Sequence, residues 1–329
     1  MERTVRRVTL RDVARAAGVS HQTVSRAIND KGEIDPETRR RILDAARELH
    51  YRPSRHARAL VRSDLVTVGL IVPDVVNPYF PEFVAGVIAA ADTRGWQVVV
   101  GSLENDRDRE LPLVRSLGRQ VDAVVGYLSR DDDALTSYAE GVPLVVVDRG
   151  PEPSVHGSVR VDLEAGVRDA LHHLIDRGHR RIGMIDCPSV CDPAARRRTF
   201  LAVAAERGLP VDGGWITVGE QSLDGGAEAF ARLRAAHPDL TAVYAFNDLV
   251  AIGALRQARR DGVRVPADCA VIGFDGLSVG ELLDPPLSTV HIDKRRLGEL
   301  AVEQVAARLD GTPAAPAVLR PTLLPRGTT

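Results

Sequence analysis

Nowhere does the 329-residue chain hold an apolar run approaching the ~18–20 residues that a membrane span needs. Its basic first residues, Met1 to Arg7, have no apolar stretch behind them, so no secretory leader is expected and the cytoplasm is the expected compartment. Cysteine is scarce. Cys187, Cys191 and Cys269 make no disulfide framework and are expected to stay reduced. Cys187 and Cys191 stand four apart with no His or Cys cluster nearby, so neither a metal site nor a cofactor is expected. No GxGxxG follows a strand, no Walker-type GxxxxGK[ST] and no HExxH is present, and no GxSxG nucleophile elbow is expected; these absences disfavour an enzyme.

What is present is ordinary in bulk and uneven in placement. Hydrophobic residues make up 44% and charged residues 27%, the mix of a water-soluble globular chain, and the length allows about two domains. The net charge of −2 conceals a gradient. Residues 1–63 carry 15 Arg/Lys against 8 Asp/Glu, an excess of seven positive charges, whereas the remainder carries 28 against 37. A small basic head on an acidic body suits phosphate contact at one end.

Within that head, Thr9 precedes Leu10, Val13, Ala14 and Ala17 on one helical face, with Asp12 three after Thr9, the pattern of a capped amphipathic helix. Gly18 suits the left-handed residue that ends it, and Ser20 can cap a second helix after a very short turn. In that helix Val24, Ala27 and Ile28 form the inward face, while Gln22, Arg26 and Asn29 recur at i, i+4 and i+7 outside, beside His21 and Ser25. Arg can grip the guanine edge in two-point fashion and Gln the adenine edge, so this face suits reading of bases. A third helix is expected from Asp35-Pro36-Glu37, with Ile42, Ala46 and Leu49 closing a mini-core and Arg39, Arg40 and Arg41 solvated near phosphate.

Beyond residue 64 the pattern changes to short apolar runs alternating with helical stretches. Strands are expected at 66–72, 97–101, 123–128, 144–147, 182–185, 242–246 and 271–274; helices at 83–93, 164–176, 196–207, 226–235 and 249–261. This is the rhythm of α/β architecture with parallel, doubly covered sheets, in which ligands sit beyond the strand C-termini. Asp74, Asp148-Arg149, Asn247-Asp248 and Asp275 stand at those ends. On the residues alone, an Asp there reads as a loop cap or helix N-cap.

The run Val8-Thr9-Leu10-Arg11-Asp12-Val13-Ala14-Arg15-Ala16-Ala17-Gly18-Val19-Ser20, followed by Gln22-Thr23-Val24-Ser25-Arg26, resembles the headpiece of the lactose/galactose-repressor family. Arg52-Pro53-Ser54-Arg55-His56-Ala57-Arg58-Ala59-Leu60 resembles that family's hinge helix, and the resemblance continues through Asn77-Pro78-Tyr79-Phe80, Gly178-His179-Arg180-Arg181-Ile182-Gly183, Gly273-Phe274-Asp275 and Pro286-Leu287-Ser288-Thr289-Val290. It implies a three-helix helix-turn-helix headpiece (1–52), a hinge helix (53–63) and a periplasmic-binding-protein-like sensor (64–329) of two subdomains. The first would take about 64–162 plus 292–318, the second about 163–291 plus the C-terminal strand.

The same resemblance implies roles. Base reading would fall to His21, Gln22 and Arg26, with Thr23, Ser25 and Asn29 clamping the backbone and Thr9 and Ser20 as further DNA-contacting candidates. Leu60 would wedge into the minor groove, Ala57 would allow close approach and Arg55 and Arg58 would meet phosphate or groove; Leu60 packing under the sensor is the alternative. Residues 54–62 make little more than two helical turns, so the hinge is expected to be helical only with DNA and a second hinge to support it. Arg196, Asn247 and Asp275 match effector-contacting positions, with Asp148, Tyr79 and Phe80 lining the other side of a cleft, and Asp74, Arg149 and Gln221 are further effector-site candidates. Arg196 is favoured over Arg197 and Arg198 because it lies four before Phe200. Departures stand beside these matches: Gln221 where many relatives carry a stacking aromatic, Gly276 for a polar residue, Leu163 for asparagine, Thr199 for glycine.

The expected partners are therefore double-stranded operator DNA, where bound chains associate with the nucleoid, a sugar-like effector and a second copy of the chain, with no membrane. No heptad tail precedes Thr329, so a tetramer of coiled-coil type is not expected. A solute-binding transport protein would need an export signal and no basic head, and a corepressor-dependent regulator would share every feature above.

Overall fold

The structure is a computed structural model that describes residues 10–28, 34–49, 65–150, 154–188, 194–210, 213–312 and 314–329. The chain forms two units, Met1–Leu65 and Val66–Thr329.

In the first unit, α1 (Leu10–Ala17), α2 (His21–Ile28) and α3 (Pro36–Glu48) surround a mini-core of Val13, Ala14, Ala17, Val24, Ala27, Ile42 and Ala45. Local chemistry sets the helix ends. Gly18 takes φ +64°, a conformation costly for any residue with a Cβ, which lets the Val19 amide donate to the Ala14 carbonyl at 3.0 Å. Ser20 Oγ accepts from the Thr23 amide at 3.1 Å, and Asp35 Oδ2 from the Thr38 amide at 2.9 Å, each capping the helix that follows. Ala45 is the buried alanine of α3; Ala46 and Leu49 pack half-buried beside it.

The second unit contains two six-stranded sheets. One has the order β11-β5-β4-β3-β1-β2 and the other β12-β10-β9-β8-β6-β7. The first sheet comprises β1 (Thr67–Val72), β2 (Gln97–Ser102), β3 (Ala123–Gly126), β4 (Leu144–Val147), β5 (Gly157–Val161) and β11 (Ala317–Leu319). The second comprises β6 (Ile182–Asp186), β7 (Ile216–Val218), β8 (Ala242–Ala245), β9 (Ala270–Asp275), β10 (Ser288–His291) and β12 (Thr322–Leu324). Among the described residues every strand pairing is parallel except β10 with β12.

The helices are α4 (Tyr79–Asp92), α5 (Glu110–Gly118), α6 (Asp132–Ala139), α7 (Leu163–Asp176), α8 (Ala195–Glu206), α9 (Leu223–Ala236), α10 (Asp248–Arg260) and α11 (Lys294–Leu309). They cover both faces of each sheet, which is why the inner strands are apolar throughout rather than alternating. In the first sheet, Leu70, Val125, Val145 and Val147 belong to the core of α4 and α11, whereas Ile71, Val124, Leu144 and Val146 pack with Val114, Leu117 and Leu135 of α5 and α6. The chain passes between sheets three times: from β5 into α7, from β10 into α11, and from β11 to β12.

Strands β5, β7, β10 and β11 fall outside the seven expected from sequence and the expected C-terminal strand. β7 has only three residues, none buried, too little for a periodic signal. Asp162 and Asn247 serve as N-caps, their carboxylate and amide oxygens accepting from Ala165 and Val250 amides at 3.1 and 3.0 Å.

Candidate functional site

On α2 the side chains of His21, Gln22 and Arg26 are exposed, and Thr23 and Ser25 are half-buried. Val24 and Ala27 anchor the opposite face in the mini-core, so the helix presents its polar face outward. Two of the three arginines assigned to solvent near phosphate are used differently. Arg41 Nε donates to the Ala17 carbonyl at 3.2 Å and an Arg39 guanidinium nitrogen to the Ala27 carbonyl at 3.5 Å, satisfying carbonyls at the ends of α1 and α2. Arg40 remains exposed. Thr9, Asn29, Arg55, Ala57, Arg58 and Leu60 lie outside the described residues, as do Cys191 and the hinge segment.

In the second unit, strand C-termini of both sheets converge on a cavity of about 570 Å³, within the range usual for small-molecule sites. Asp74, Tyr79, Phe80 and Asp148 line it from the first sheet, and Arg196, Gln221, Asn247 and Asp275 from the second. Arg149 does not. Its guanidinium turns to the Asp132 carboxylate and donates to the Arg130 carbonyl at 2.8 Å. Asp148, just past β4, takes φ +52°, and its neighbour Arg149 is drawn to Asp132 rather than into the cavity. The cavity also takes in Asn105, Arg107, Tyr127, Glu220 and Phe246, which the sequence reading missed. Tyr127 and Phe246 each follow the last residue of a strand within one position, and the strand-end rule applied to aromatic as well as polar residues would have found them.

The cavity chemistry is layered. Tyr79, Phe80 and Tyr127 pack edge to face, with ring centres 5.2 to 6.3 Å apart, and the Tyr127 hydroxyl donates to the Tyr79 hydroxyl at 3.1 Å. Burial, reinforced by the carboxylates of Asp148 and Asp275, holds the Tyr79 phenol well above its usual range and therefore neutral. Opposite, the Arg196 guanidinium lies 4.3 Å from the Phe246 ring centre and 4.7 Å from that of Phe274, a cation held between two aromatic faces. It approaches Asp275 Oδ1 at 3.9 Å. Burial pushes the Asp275 carboxyl up to about 8 despite Arg196, with the Asp248 carboxylate raising it further. Arg197 points elsewhere, its Nε donating to Asp186 at 2.8 Å.

Several polar residues of the cavity also hold the backbone, Asp148 among them, its Oδ1 accepting from the Val161 amide at 3.2 Å. Asp74 Oδ1 accepts from the Val76 and Asn77 amides at 2.7 Å, and Oδ2 from Asn105 Nδ2 at 3.0 Å. Asn247 uses its oxygen as the α10 cap, which aims its Nδ2 at Gln221 Oε1, 3.5 Å away, while Gln221 Nε2 donates to the Pro188 carbonyl. Gly276 combines φ +67° with a backbone on which any Cβ would meet His291 Nδ1 at 2.3 Å, so no polar side chain fits there.

Gly276-Leu277-Ser278-Val279-Gly280 does carry GxSxG spacing, a correction to the sequence reading. Ser278 is exposed on a 3₁₀ turn (Ser278–Leu282), however, and β9 does not lead through it into an α-helix. Burial pushes the thiols of Cys187 and Cys269 up to about 12, which leaves them unreactive. Among the described residues no cluster of three His, Cys, Asp or Glu could hold a metal, and no helix is long and apolar enough to cross a membrane.

Comparison with known proteins places these features together. Residues 9–54 match the family described as bacterial regulatory proteins, lacI family, and residues 171–329 match a periplasmic binding protein-like domain. The chain is 33% identical over 306 residues to the HTH-type transcriptional repressor PurR of Photobacterium profundum, covering 92% of each. A LacI family transcriptional regulator from Arthrobacter sp. FB24, solved in complex with lactose, is 35% identical with a TM-score of 0.73, over 80% of this chain and 99% of that one. The Lac repressor dimer bound to operator and the anti-inducer ONPF is 27% identical with a TM-score of 0.81, over 98% and 99%. The chain belongs to the lacI family of bacterial regulatory proteins.

Proposed function

We propose that this chain is a sequence-specific transcription regulator, and not an enzyme, released from its operator when a neutral polyol, a sugar or sugar derivative, occupies the inter-sheet cavity. Two copies would grip an approximately palindromic duplex, each with a headpiece (1–52) and hinge helix (53–63), while residues 64–329 bind effector and pair the copies. His21, Gln22 and Arg26 would read base edges from α2 in the major groove.

The observation that carries the effector class is the make-up of the cavity. With Asp275 protonated below about 8, the lining still sets the carboxylates of Asp74, Asp148 and Glu220 against Arg107 and Arg196. An anionic ligand meets an excess of negative charge there, whereas hydroxyl groups find donors and acceptors and a sugar's C–H face finds aromatic rings. A second reading, a nucleobase that tightens DNA binding, draws on the wall of Tyr79, Phe80 and Tyr127, which can stack a planar ring.

Ligand would favour one relative orientation of the two sheets and so separate the paired hinges, which are too short to stay helical alone. A coupling of only ~1–3 kcal/mol changes occupancy several-fold or more. The test is selection of bound DNA from random duplexes, repeated with panels of sugars and nucleobases. A palindromic consensus released by one polyol is expected. Enrichment that no sugar alters, or that a nucleobase strengthens, would overturn the inducer reading.

A further inference from the structure

The chain has only two lysines among its 43 basic residues, Lys31 and Lys294, and Lys294 is buried at 1% exposure. It is the first residue of α11, just after the chain crosses from the second sheet. Its ammonium donates to the Asp275 carbonyl at 2.7 Å and to the Gly276 and Ile292 carbonyls at 3.2 Å, and pairs with Glu82 Oε2 at 3.2 Å. Glu82 belongs to α4, the helix whose first residue is Tyr79, and the ammonium lies 5.8 Å from the Tyr79 ring centre. One cation thus joins the end of β9 in the second sheet to α4 on the first.

Both ends of this joint are rigid. Gly86 of α4 and Gly298 of α11 cross so closely that a Cβ on Gly86 would meet the Arg295 carbonyl oxygen at 2.7 Å, and one on Gly298 the Val87 amide at 2.6 Å. At the other end Asp275 holds φ +108°, a conformation that a non-glycine residue keeps only when its surroundings fix it. Asp248 fixes the far side of the same turn, its carboxylate accepting from the Leu277 amide and the Thr289 hydroxyl at 2.6 Å each. A compact ammonium with three donors suits convergent carbonyls in a way that a planar guanidinium does not, which gives a physical reason for lysine here in a chain whose basic residues are nearly all arginine.

We infer that Lys294 is a positioning residue for the effector site: it locks the Asp275–Leu277 turn to α4, so that the Asp275 carboxyl and the Tyr79 wall are held as one body across the two sheets. That Asp275 meets the effector rests on the function proposed above; the joint itself does not.

Hydrogen exchange read by mass spectrometry on the full-length protein, without ligand, tests this. Lys294→Met should speed exchange of peptides covering 275–278 and 291–293 roughly tenfold or more, since hydrogen bonds to a charge are lost there, while peptides from β8 and α9 keep their rates. Glu82→Ala, at a partly exposed position that leaves the buried carbonyl contacts in place, should speed the same peptides about two- to threefold. Leu297→Ala, one turn along α11, is the control for simple loss of packing and should loosen α11 and α4 instead. If Lys294→Met does not fold, Glu82→Ala decides, read also by acetylation of Lys294 with an amine-directed acetyl ester, which should become faster. Unchanged exchange at 275–278 in both variants, or the same pattern as Leu297→Ala, would overturn the inference. A wild-type protein that binds no sugar would defeat the reading of the cavity and leave the joint standing.

Discussion

Replacing Asp275 by asparagine removes one ionisable group from the cavity while keeping its shape, and asparagine tolerates positive φ better than most residues. The wild-type carboxyl is raised from 3.8 to about 8, chiefly by burial. The folded protein therefore binds this proton more tightly than the unfolded chain, and between those two values it holds the larger share of protons. Stability falls as pH rises through that window, with a gradient approaching about 1.4 kcal/mol per pH unit from this group. Asp248, raised to about 6 by burial, adds a gradient of the same sign at the lower end of the window, and it remains in the variant. Urea unfolding followed by fluorescence, on wild type and Asp275→Asn at pH 5, 6, 7 and 8, reads the difference directly. The variant is expected to gain relative to wild type with each step in pH, by nearly the full gradient from 5 to 7 and by less from 7 to 8 as the carboxyl begins to ionise in the folded state. Parallel profiles across all four pH values would show that the carboxyl titrates near its ordinary value and that the cavity does not protonate it.

Arg26→Ala should cost about 1–3 kcal/mol of operator binding and relax base preference at one position per half-site; an equal loss on every sequence, measured by competition with random duplexes, would mean that Arg26 touches only phosphate. Operator affinity should fall with salt at a slope of about −0.9 in log K against log salt for each phosphate contacted by the basic head, and a flat response in fluorescence anisotropy would place the DNA face elsewhere. Ile42→Ala empties the centre of a mini-core rich in alanine. It should cost about 2–5 kcal/mol, enough to unfold the headpiece, abolishing DNA binding while a calorimetric transition of the second unit persists; intact operator binding would contradict the packing argument.

The headpiece was legible because its signals are local. A capping serine, a glycine in the left-handed region and apolar residues at helical spacing act within a few residues of one another. The strand-end carboxylates were legible for a similar reason, since a run such as 144–147 announces its own end at Asp148. What was not legible depends on direction or on distance along the chain. Nothing in the dipeptide Asp148-Arg149 says which side chain faces the cavity, and Arg149 is committed by Asp132, far behind it in sequence. Arg39 and Arg41 look like free surface charge until α1 and α2 bring their carbonyls alongside. Lys294 finds Glu82 only because two helices distant in sequence cross at paired glycines. β7 is too short and too exposed for any period to register.

Titration of the effector into free protein and into protein saturated with operator most directly tests the claim that cavity and DNA face are coupled. Reciprocity requires each ligand to weaken the other by the same factor, so the effector should bind free protein several-fold to a hundredfold more tightly than the operator complex. Equal affinities in the two titrations would contradict the account, and tighter binding to the complex would make the ligand a corepressor.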